Sequence, residues 1–385
     1  MNRPVYFDNH ATTRVDPRVL DAMLPFFCEQ YGNAASINHA YGWEAADAVK
    51  LARGRVADFL QTTPESLVFT SGATEANNLA IKGVMRSAGA GAHFITNAAE
   101  HRAVLDPASR LKKEGFEVTV LPVDKFAQVD PQQIADAINP ETALVSVMWA
   151  NNEVGTITNV TEIARICRER NVRFHCDAVQ AVGKISVDLS DENFDLVSLS
   201  AHKMYGPKGV GALYVRRGMP RIRMEPQIDG GGHERRLRSG TLAVPLIVGF
   251  GSACEIAQQE LDEEATRINE MRDRLWNQLN ECLDGIQRNG HPENCLPGNL
   301  NISFERVDGD ALMTRLTKIA VSSGSACTSA NPEPSHVLRS MGISDQLTRA
   351  SLRFGIGRFN TLAEIDLAVS CVVEAVSELR QMTAN

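Results

Sequence analysis

No two of the chain's eight cysteines stand in a C-x-x-C spacing; they are scattered at positions 28, 167, 176, 254, 282, 295, 327 and 371. Zinc sites and disulfide frameworks are usually marked by regularly spaced thiols, so neither is indicated and no metal is expected. Reduced thiols place the protein in the cytoplasm. Long runs of like charge are also missing. The formal net charge is −8, and the one basic cluster, Arg235-Arg236-Leu237-Arg238, is too small to argue for a nucleic-acid partner. The longest apolar runs, 143–150 and 242–253, are too short or too interrupted to cross a bilayer, and Met1 to Tyr6 lacks the apolar core of a secretion signal. There is no internal repeat, no low-complexity segment and no G-K-[ST] phosphate loop.

What is present is a chain of 385 residues, 43% apolar and 22% charged, enough for a large α/β domain and a smaller one. Short apolar runs at 67–70, 93–96, 118–121, 143–148, 172–176, 196–199 and 211–215 read as strands. Helical patterns at 74–87, 102–114, 131–138 and 161–170 fall among them, after an amphipathic helix at 41–60. Such alternation predicts a mostly parallel seven-stranded sheet covered by helices. Beyond residue 250 the pattern changes to a long helix at 251–283, a strand at 299–304 and helices at 309–317 and 362–381. The expected division is a large domain over 17–250, with 1–16 and 251–385 forming a smaller α+β domain. Seven of the cysteines sit in apolar or helical contexts and are expected to be small core residues.

Polar groups collect where the strands should end. Thr70-Ser71-Gly72-Ala73-Thr74-Glu75 leaves a strand and opens a helix, which makes either an anion site or a capping box. His101 follows the second strand, where an imidazole can stack on an aromatic group and shuttle protons; Asn151-Asn152-Glu153 follows the fourth. Asp177 ends the fifth strand, either to hold a ring nitrogen in its protonated form or to cap the next turn, and Gln180 lies three residues on. Ser200-Ala201-His202-Lys203 closes the sixth, just before a Gly/Pro-rich turn, and a lysine enclosed there can serve as an amine nucleophile. Five such groups at one sheet edge fit a cofactor that has an aldehyde, a phosphate, a ring nitrogen and a ring oxygen, which is pyridoxal 5'-phosphate. Arg353, between apolar residues, suits either bidentate carboxylate binding or a structural ion pair. In Ser322-Ser323-Gly324-Ser325-Ala326-Cys327-Thr328-Ser329, one cysteine stands among small and hydroxyl residues that cannot pack a core, so an exposed loop with a usable nucleophile is expected.

Taken together, 70–75, 150–155, 175–180, 200–211, 230–241 and 322–329 resemble the class I cysteine desulfurases of the NifS/IscS type, pyridoxal-phosphate enzymes of fold type I. The resemblance runs from Tyr6 to about Leu379. It implies that Lys203 carries the cofactor as a Schiff base and that Asp177 pairs with the ring nitrogen. Gln180 and Asn152 would reach the ring oxygen, and His101 would stack on the ring. Ala73, Thr74, Ser200 and His202 would hold the phosphate, with Thr241 reaching the phosphate of a partner subunit in a homodimer with shared sites. Asn33, Asn152 and Arg353 would hold the substrate carboxylate. L-cysteine would become L-alanine, with the sulfur held as a persulfide on Cys327. From there it would pass to an acceptor protein for iron–sulfur cluster assembly, other sulfur-containing cofactors or tRNA thiolation. The chain departs from the family pattern in three places: Ala34 replaces the usual proline, Ala201 the usual glycine, and Asn9-His10 is an uncommon pair before Ala11-Thr12-Thr13. The alternative is another pyridoxal enzyme of the same fold (an aminotransferase, a selenocysteine lyase or a C–S lyase), from which Cys327 is the discriminating feature. A hypothesis of a different class, a non-catalytic sulfur carrier, has Asp177, His101 and Lys203 against it.

Overall fold

A computed structural model describes residues 3–190, 193–323 and 334–384. The seven expected strands form one sheet: β1 (Leu67–Thr70), β2 (His93–Asn97), β3 (Glu117–Leu121), β4 (Thr142–Ser146), β5 (Arg173–Asp177), β6 (Leu196–Ser200) and β7 (Gly211–Val215), in the order β1-β7-β6-β5-β4-β2-β3. Only β7 runs against its neighbours; every other pairing is parallel. The apolar runs are continuous rather than alternating because helices cover both faces, and β1, β2, β6 and β7 are buried at every residue. β3 is the edge strand opposite β1, and it is partly exposed. The helices α1 (Ala40–Phe59), α2 (Ala73–Ala88), α3 (Arg102–Lys113), α4 (Pro131–Ala137) and α5 (Val160–Glu169) lie within a residue or so of their expected positions. Since β1 and β6 both oppose β7, the carboxyl ends of β1, β2, β4, β5 and β6 share one edge of the sheet.

The long helix α6 (Val244–Cys282) starts seven residues before its expected position, so residue 250 lies inside it. Pro245 is the reason. It occupies the first turn, where a missing N–H costs nothing, although in the sequence it interrupts the apolar run. The first half of α6 (Ile247, Phe250, Ala253, Cys254) joins the core beneath the large sheet. Its second half (Ile268, Met271, Leu275, Leu279) packs in a separate core with α7 (Leu362–Ala384) and a second sheet. That sheet is antiparallel, in the order β10-β11-β9-β8, from β8 (Ile286–Asn289), β9 (Asn299–Phe304), β10 (Ser322–Ser323) and β11 (Ser351–Gly355). The strands β8 and β11 and the short helices His336–Ser340 and Asp345–Arg349 were not expected. Gln287, Arg288 and Arg353 interrupt the apolar signal, and five-residue helices are too short to show a periodicity. Val5–Tyr6 pairs in parallel with Ile319–Ala320 and leads the N-terminal segment across to the large sheet.

The cysteine expectation needs correction. Cys167, Cys176, Cys254, Cys295 and Cys371 are buried, but Cys28 and Cys282 are exposed. Both exposed thiols end a helix, where helical context alone does not choose the inward face. Burial pushes the Cys167 thiol up to about 12.

α1 and α6 cross in near backbone contact. A Cβ on Gly251 would lie 2.7 Å from Ala52 Cα and 2.8 Å from Ala52 Cβ. Gly251→Val is therefore expected to destabilise the fold by about 1–3 kcal/mol, the usual cost of overpacking. Thermal unfolding would show it as a melting temperature several degrees lower; an unchanged melting temperature would contradict the close crossing.

Candidate active site

The shared sheet edge opens into a cavity of about 640 Å³. Ala73, Thr74, His101, Asn152, Asp177, Gln180, Ser200, His202, Lys203 and Arg353 all line it. Lys203 reaches it from a single 3-10 turn, Ala201–Lys203, that follows β6 directly. Its Nζ donates to the carbonyls of His10 (2.6 Å) and Ala11 (2.7 Å). The segment Asp8 to Thr12 thus forms a wall of the site, contributing Asp8, His10, Ala11 and Thr12. Its sequence showed only an extended, turn-rich stretch. Ala201 is fully buried, and a Cβ on Gly206 would come within 2.8 Å of its methyl. The extra methyl at 201 is accommodated because residue 206 has none.

Asp177 ends β5 with its carboxylate held on both sides. Val179 N donates to Oδ1 at 3.1 Å and Asn77 Nδ2 to Oδ2 at 2.7 Å. The first bond closes the turn; the second sets the carboxylate plane. Asn77 is fully buried on α2, and the sequence reading missed it. The available signal was an asparagine on the apolar face of an amphipathic helix, which needs a buried partner. His101 caps α3, and its Nδ1 accepts from Ala103 N at 3.1 Å. The proton of the neutral ring therefore sits on Nε2. Burial holds the imidazole below its ordinary range, with Asp177 opposing that shift and Lys203 adding to it. Behind it, Glu100 is buried and accepts from Met148 N and Asn97 Nδ2, both at 2.6 Å and both on Oε1. Burial, and then Asp177, raise its carboxyl to about 8.

At the other end of the cavity α2 begins at Gly72 with no side-chain cap. Glu75 Oε2 does accept from Ser71 N at 2.9 Å, so only the carboxylate half of a capping box forms. Glu75 is itself held by Arg238 at 2.8 Å. Ser200 Oγ lies buried here with no hydrogen-bond partner among the described residues. His202 Nδ1 is 3.1 Å from Thr12 Oγ1, and burial, then Lys203, push its ring down to about 4. An uncapped helix start, an orphan hydroxyl and a neutral imidazole are the donors that a phosphate needs. With Lys203 for an aldehyde and Asp177 for a ring nitrogen, the donor set fits pyridoxal phosphate.

Arg353, on β11, donates from Nη2 to Asp8 Oδ1 at 2.7 Å and from Nη1 to Asn152 O at 2.9 Å. The ion-pair reading of this arginine is thus realised, while its Nε has no partner among the described residues. Asn33 and Thr241 are exposed and do not line the cavity of the single chain; Asn33 Oδ1 accepts from Ala35 N at 2.9 Å. Cys327 lies outside the described residues. The residues before and after it can be placed. Ser322 lines the cavity, Ser335 Oγ donates to buried Glu153, and His336 Nε2 is 2.9 Å from Glu100 O. Burial raises Glu153 to about 7.

The aminotransferase class-V family matches residues 5–367. A cysteine desulfurase IscS of Anaeromyxobacter dehalogenans is 54% identical over 384 residues, covering 100% of this chain and 95% of that protein. A mitochondrial cysteine desulfurase of Arabidopsis thaliana is 52% identical, covering 99% of this chain and 84% of that protein. Among solved structures, a NifS-like protein superposes with a TM-score of 0.90 at 39% identity, covering 97% of this chain and 100% of that one.

Glu100 makes stability depend on pH. A carboxyl whose folded pKa lies above its unfolded value keeps its proton on folding. Its contribution is complete below about 4.5 and is lost as pH rises toward about 8. Glu100→Gln removes that loss. Its melting temperature relative to the parent is expected to rise steadily between pH 5 and pH 8, and a difference independent of pH would contradict the assignment.

Proposed function

The chain belongs to the aminotransferase class-V family and is a cysteine desulfurase, a pyridoxal-phosphate-dependent enzyme; from that premise we propose that the sheet-edge cavity holds the cofactor and L-cysteine, and that Cys327 takes the sulfur. The observation that carries the reading is the convergence of Thr74, His101, Asn152, Asp177 and Lys203 from five strand ends onto one cavity.

When bound, pyridoxal phosphate offers an aldehyde carbon to the substrate amine and a ring that draws electrons from the substrate Cα. The protein's residues do the rest. Ala73, Thr74, Ser200 and His202 bind the phosphate, and Asp177, steadied by Asn77, keeps the ring nitrogen protonated. Gln180 and Asn152 reach the ring oxygen, and His101 covers the ring face. Lys203, the amine at the sheet edge, takes the Cα proton. Arg353 exchanges its Asp8 partner for the substrate carboxylate, with Asn33 and Asn152 assisting. With Nδ1 occupied by Ala103 N, His101 presents Nε2–H and so donates a hydrogen bond into the cavity. The Cys327 thiolate attacks the substrate sulfur, an S–S bond forms as the C–S bond breaks, and the carbon fragment keeps the electron pair. That fragment takes up one proton at Cβ, regains at Cα the one that Lys203 removed, and leaves as alanine, and the persulfide passes its outer sulfur to an acceptor protein.

The remaining features belong to the same proposal. Exposed Leu24, Phe27, Tyr31, Ile37, Tyr41 and Trp43 form an apolar stretch early in the chain, which supports a homodimer in which Thr241 reaches the partner's phosphate site. The separate apolar clusters of the two sheets support a large and a smaller domain, with Phe7 in the smaller core and the division inside α6, after Ala257 rather than at residue 250. The free thiols support a reducing, cytoplasmic setting.

Mixing the holoenzyme with L-cysteine is expected to release alanine and to add one sulfur to the peptide containing Cys327, read by mass spectrometry. Cys327→Ala should keep the visible absorbance of the bound cofactor and lose the persulfide; undiminished sulfide release by that variant would favour a C–S lyase. In sedimentation, the parent is expected at twice its 42.0 kDa chain mass. Ile37→Glu with Trp43→Glu should shift it to the monomer and reduce turnover. A parent that sediments as a monomer would remove Thr241 from the site.

A further inference from the structure

The two ends of the Gln180 carboxamide are distinguished by their partners. Oε1 accepts from Lys184 Nζ at 2.9 Å and lies 3.0 Å from His10 Nδ1. Nε2 donates to His10 O at 2.9 Å, the carbonyl that also receives Lys203 Nζ at 2.6 Å. Lys184 Nζ is the donor in this bond, so it faces the oxygen of the amide and not the NH₂. With Lys184 in place, His10 Nδ1 must also be a donor, and Oε1 receives two hydrogen bonds. Nε2 then points toward Lys203, and its second N–H remains for the cavity that Gln180 lines. Lys184 is tied to the same turn a second time, through Gln180 O at 3.3 Å. Its own turn lies directly against the one carrying Lys203: Gly183 has φ +76°, and a Cβ there would be 2.5 Å from Met204 Cβ.

A lysine here is costly. The charged groups that act on it are Lys203 and Arg353, of like sign, and Glu264, of opposite sign. Burial, and then Lys203, push its amine down to about 7. A methionine of similar length would fill the same space without that cost, so the amine has a use that packing does not supply.

We propose that Lys184, seconded by His10, is a positioning residue that locks the Gln180 carboxamide with an N–H, rather than the carbonyl, toward the ring oxygen of the bound cofactor. This rests on the reading that the cavity binds pyridoxal phosphate. A donor on the ring oxygen competes for the electron pair that would otherwise hold the neighbouring proton. Losing or reversing it raises the pH at which the bound chromophore gives up that proton.

The test is the pH titration of the visible absorption of the holoenzyme, with cofactor affinity measured on the apoprotein. Lys184→Met is expected to raise the titration midpoint by roughly half to one unit, the worth of one hydrogen bond, and to weaken cofactor binding. In the Gln180→Leu background the same substitution should move the midpoint no further. An unshifted midpoint in Lys184→Met, or a shift that persists in the Gln180→Leu background, would overturn the proposal. Should Lys184→Met not fold, His10→Phe removes the other bond to Oε1 and must shift the midpoint in the same direction; no shift would overturn it equally. A parent protein that takes up no cofactor would overturn the underlying reading and this inference together.

Discussion

Positive charge crowded behind one sheet edge is the constraint on which the rest of the site depends. Lys203 and Arg353 act against the protonation of Lys184, and Lys184 and Arg353 against that of His10. His10, His101 and His202 are all held below their ordinary range, first by burial and then, for His10 and His202, by these cations; for His101, Asp177 opposes the shift. α2 adds an uncapped positive end. Among the described residues, Asp177 and Asp8 on the cavity wall stand against this, apart from Glu75, which Arg238 already holds. Such a cavity favours anions before any single contact is considered, and a phosphate and a carboxylate are the anions it is shaped to take. Neutral imidazoles follow from the same crowding, which is why His101 and His202 act through N–H donors rather than through charge.

The N-terminal segment and the small sheet transmit this arrangement. Asp8 pairs with Arg353, Phe7 O accepts from Gly355 N at 2.6 Å, and Asn9 N donates to Gly355 O at 3.1 Å. Two residues later the same segment supplies the carbonyls that hold Lys203. A short stretch of backbone therefore couples β11 of the small sheet to the turn after β6 of the large one. Ser322 sits opposite Arg353 in the β10–β11 register, so the chain leading toward Cys327 leaves from beside an arginine of the cavity wall. On the far side, Ser335 and His336 dock on Glu153 and Glu100, whose buried carboxyls are raised toward neutrality. The described residues on either side, Ser322 and Ser335-His336, thus lie against the cavity wall, the Glu153 carboxyl and the Glu100 backbone.

Much of this was legible in the sequence. Strand ends are marked by apolar runs that stop at a polar residue, and a parallel sheet brings those ends to one edge, so Thr74, His101, Asn152, Asp177 and Lys203 could be grouped before any coordinates. What escaped was the set of residues whose role depends on long-range pairing. Asn77 sits mid-helix, with nothing local to connect it to Asp177, a hundred positions away. Asp8 and His10 precede the first apolar run, in a stretch with no periodicity. Lys184 resembles any surface lysine after a glycine until Gln180 is seen to accept from it. β8 and β11 were missed because arginine and glutamine break their apolar pattern, although the sheet buries Arg353 and half-buries Arg288. α6 was begun late because a proline inside an apolar run reads as an interruption, whereas at a helix start it is a signal.

The distribution of thiols bears on where the sulfur can go. Cys176 neighbours Asp177 in sequence but points to the opposite face of β5, where burial raises its thiol well above the ordinary range. Burial does the same to Cys167, Cys254 and Cys371. Cys295 is packed against Arg272 and Arg288, and exposed Cys28 and Cys282 lie on helix ends. None of these seven lines the cavity. A buried, protonated thiol is a poor nucleophile, and an exposed one away from the substrate cannot reach its sulfur. Cys327 differs from all of them in its sequence context, on a run of small residues whose described start, Ser322, already forms part of the cavity wall. The core keeps its thiols inert, which leaves Cys327, in a sequence context unlike theirs, as the proposed sulfur carrier. That division explains how a protein with eight cysteines can carry sulfur on one of them.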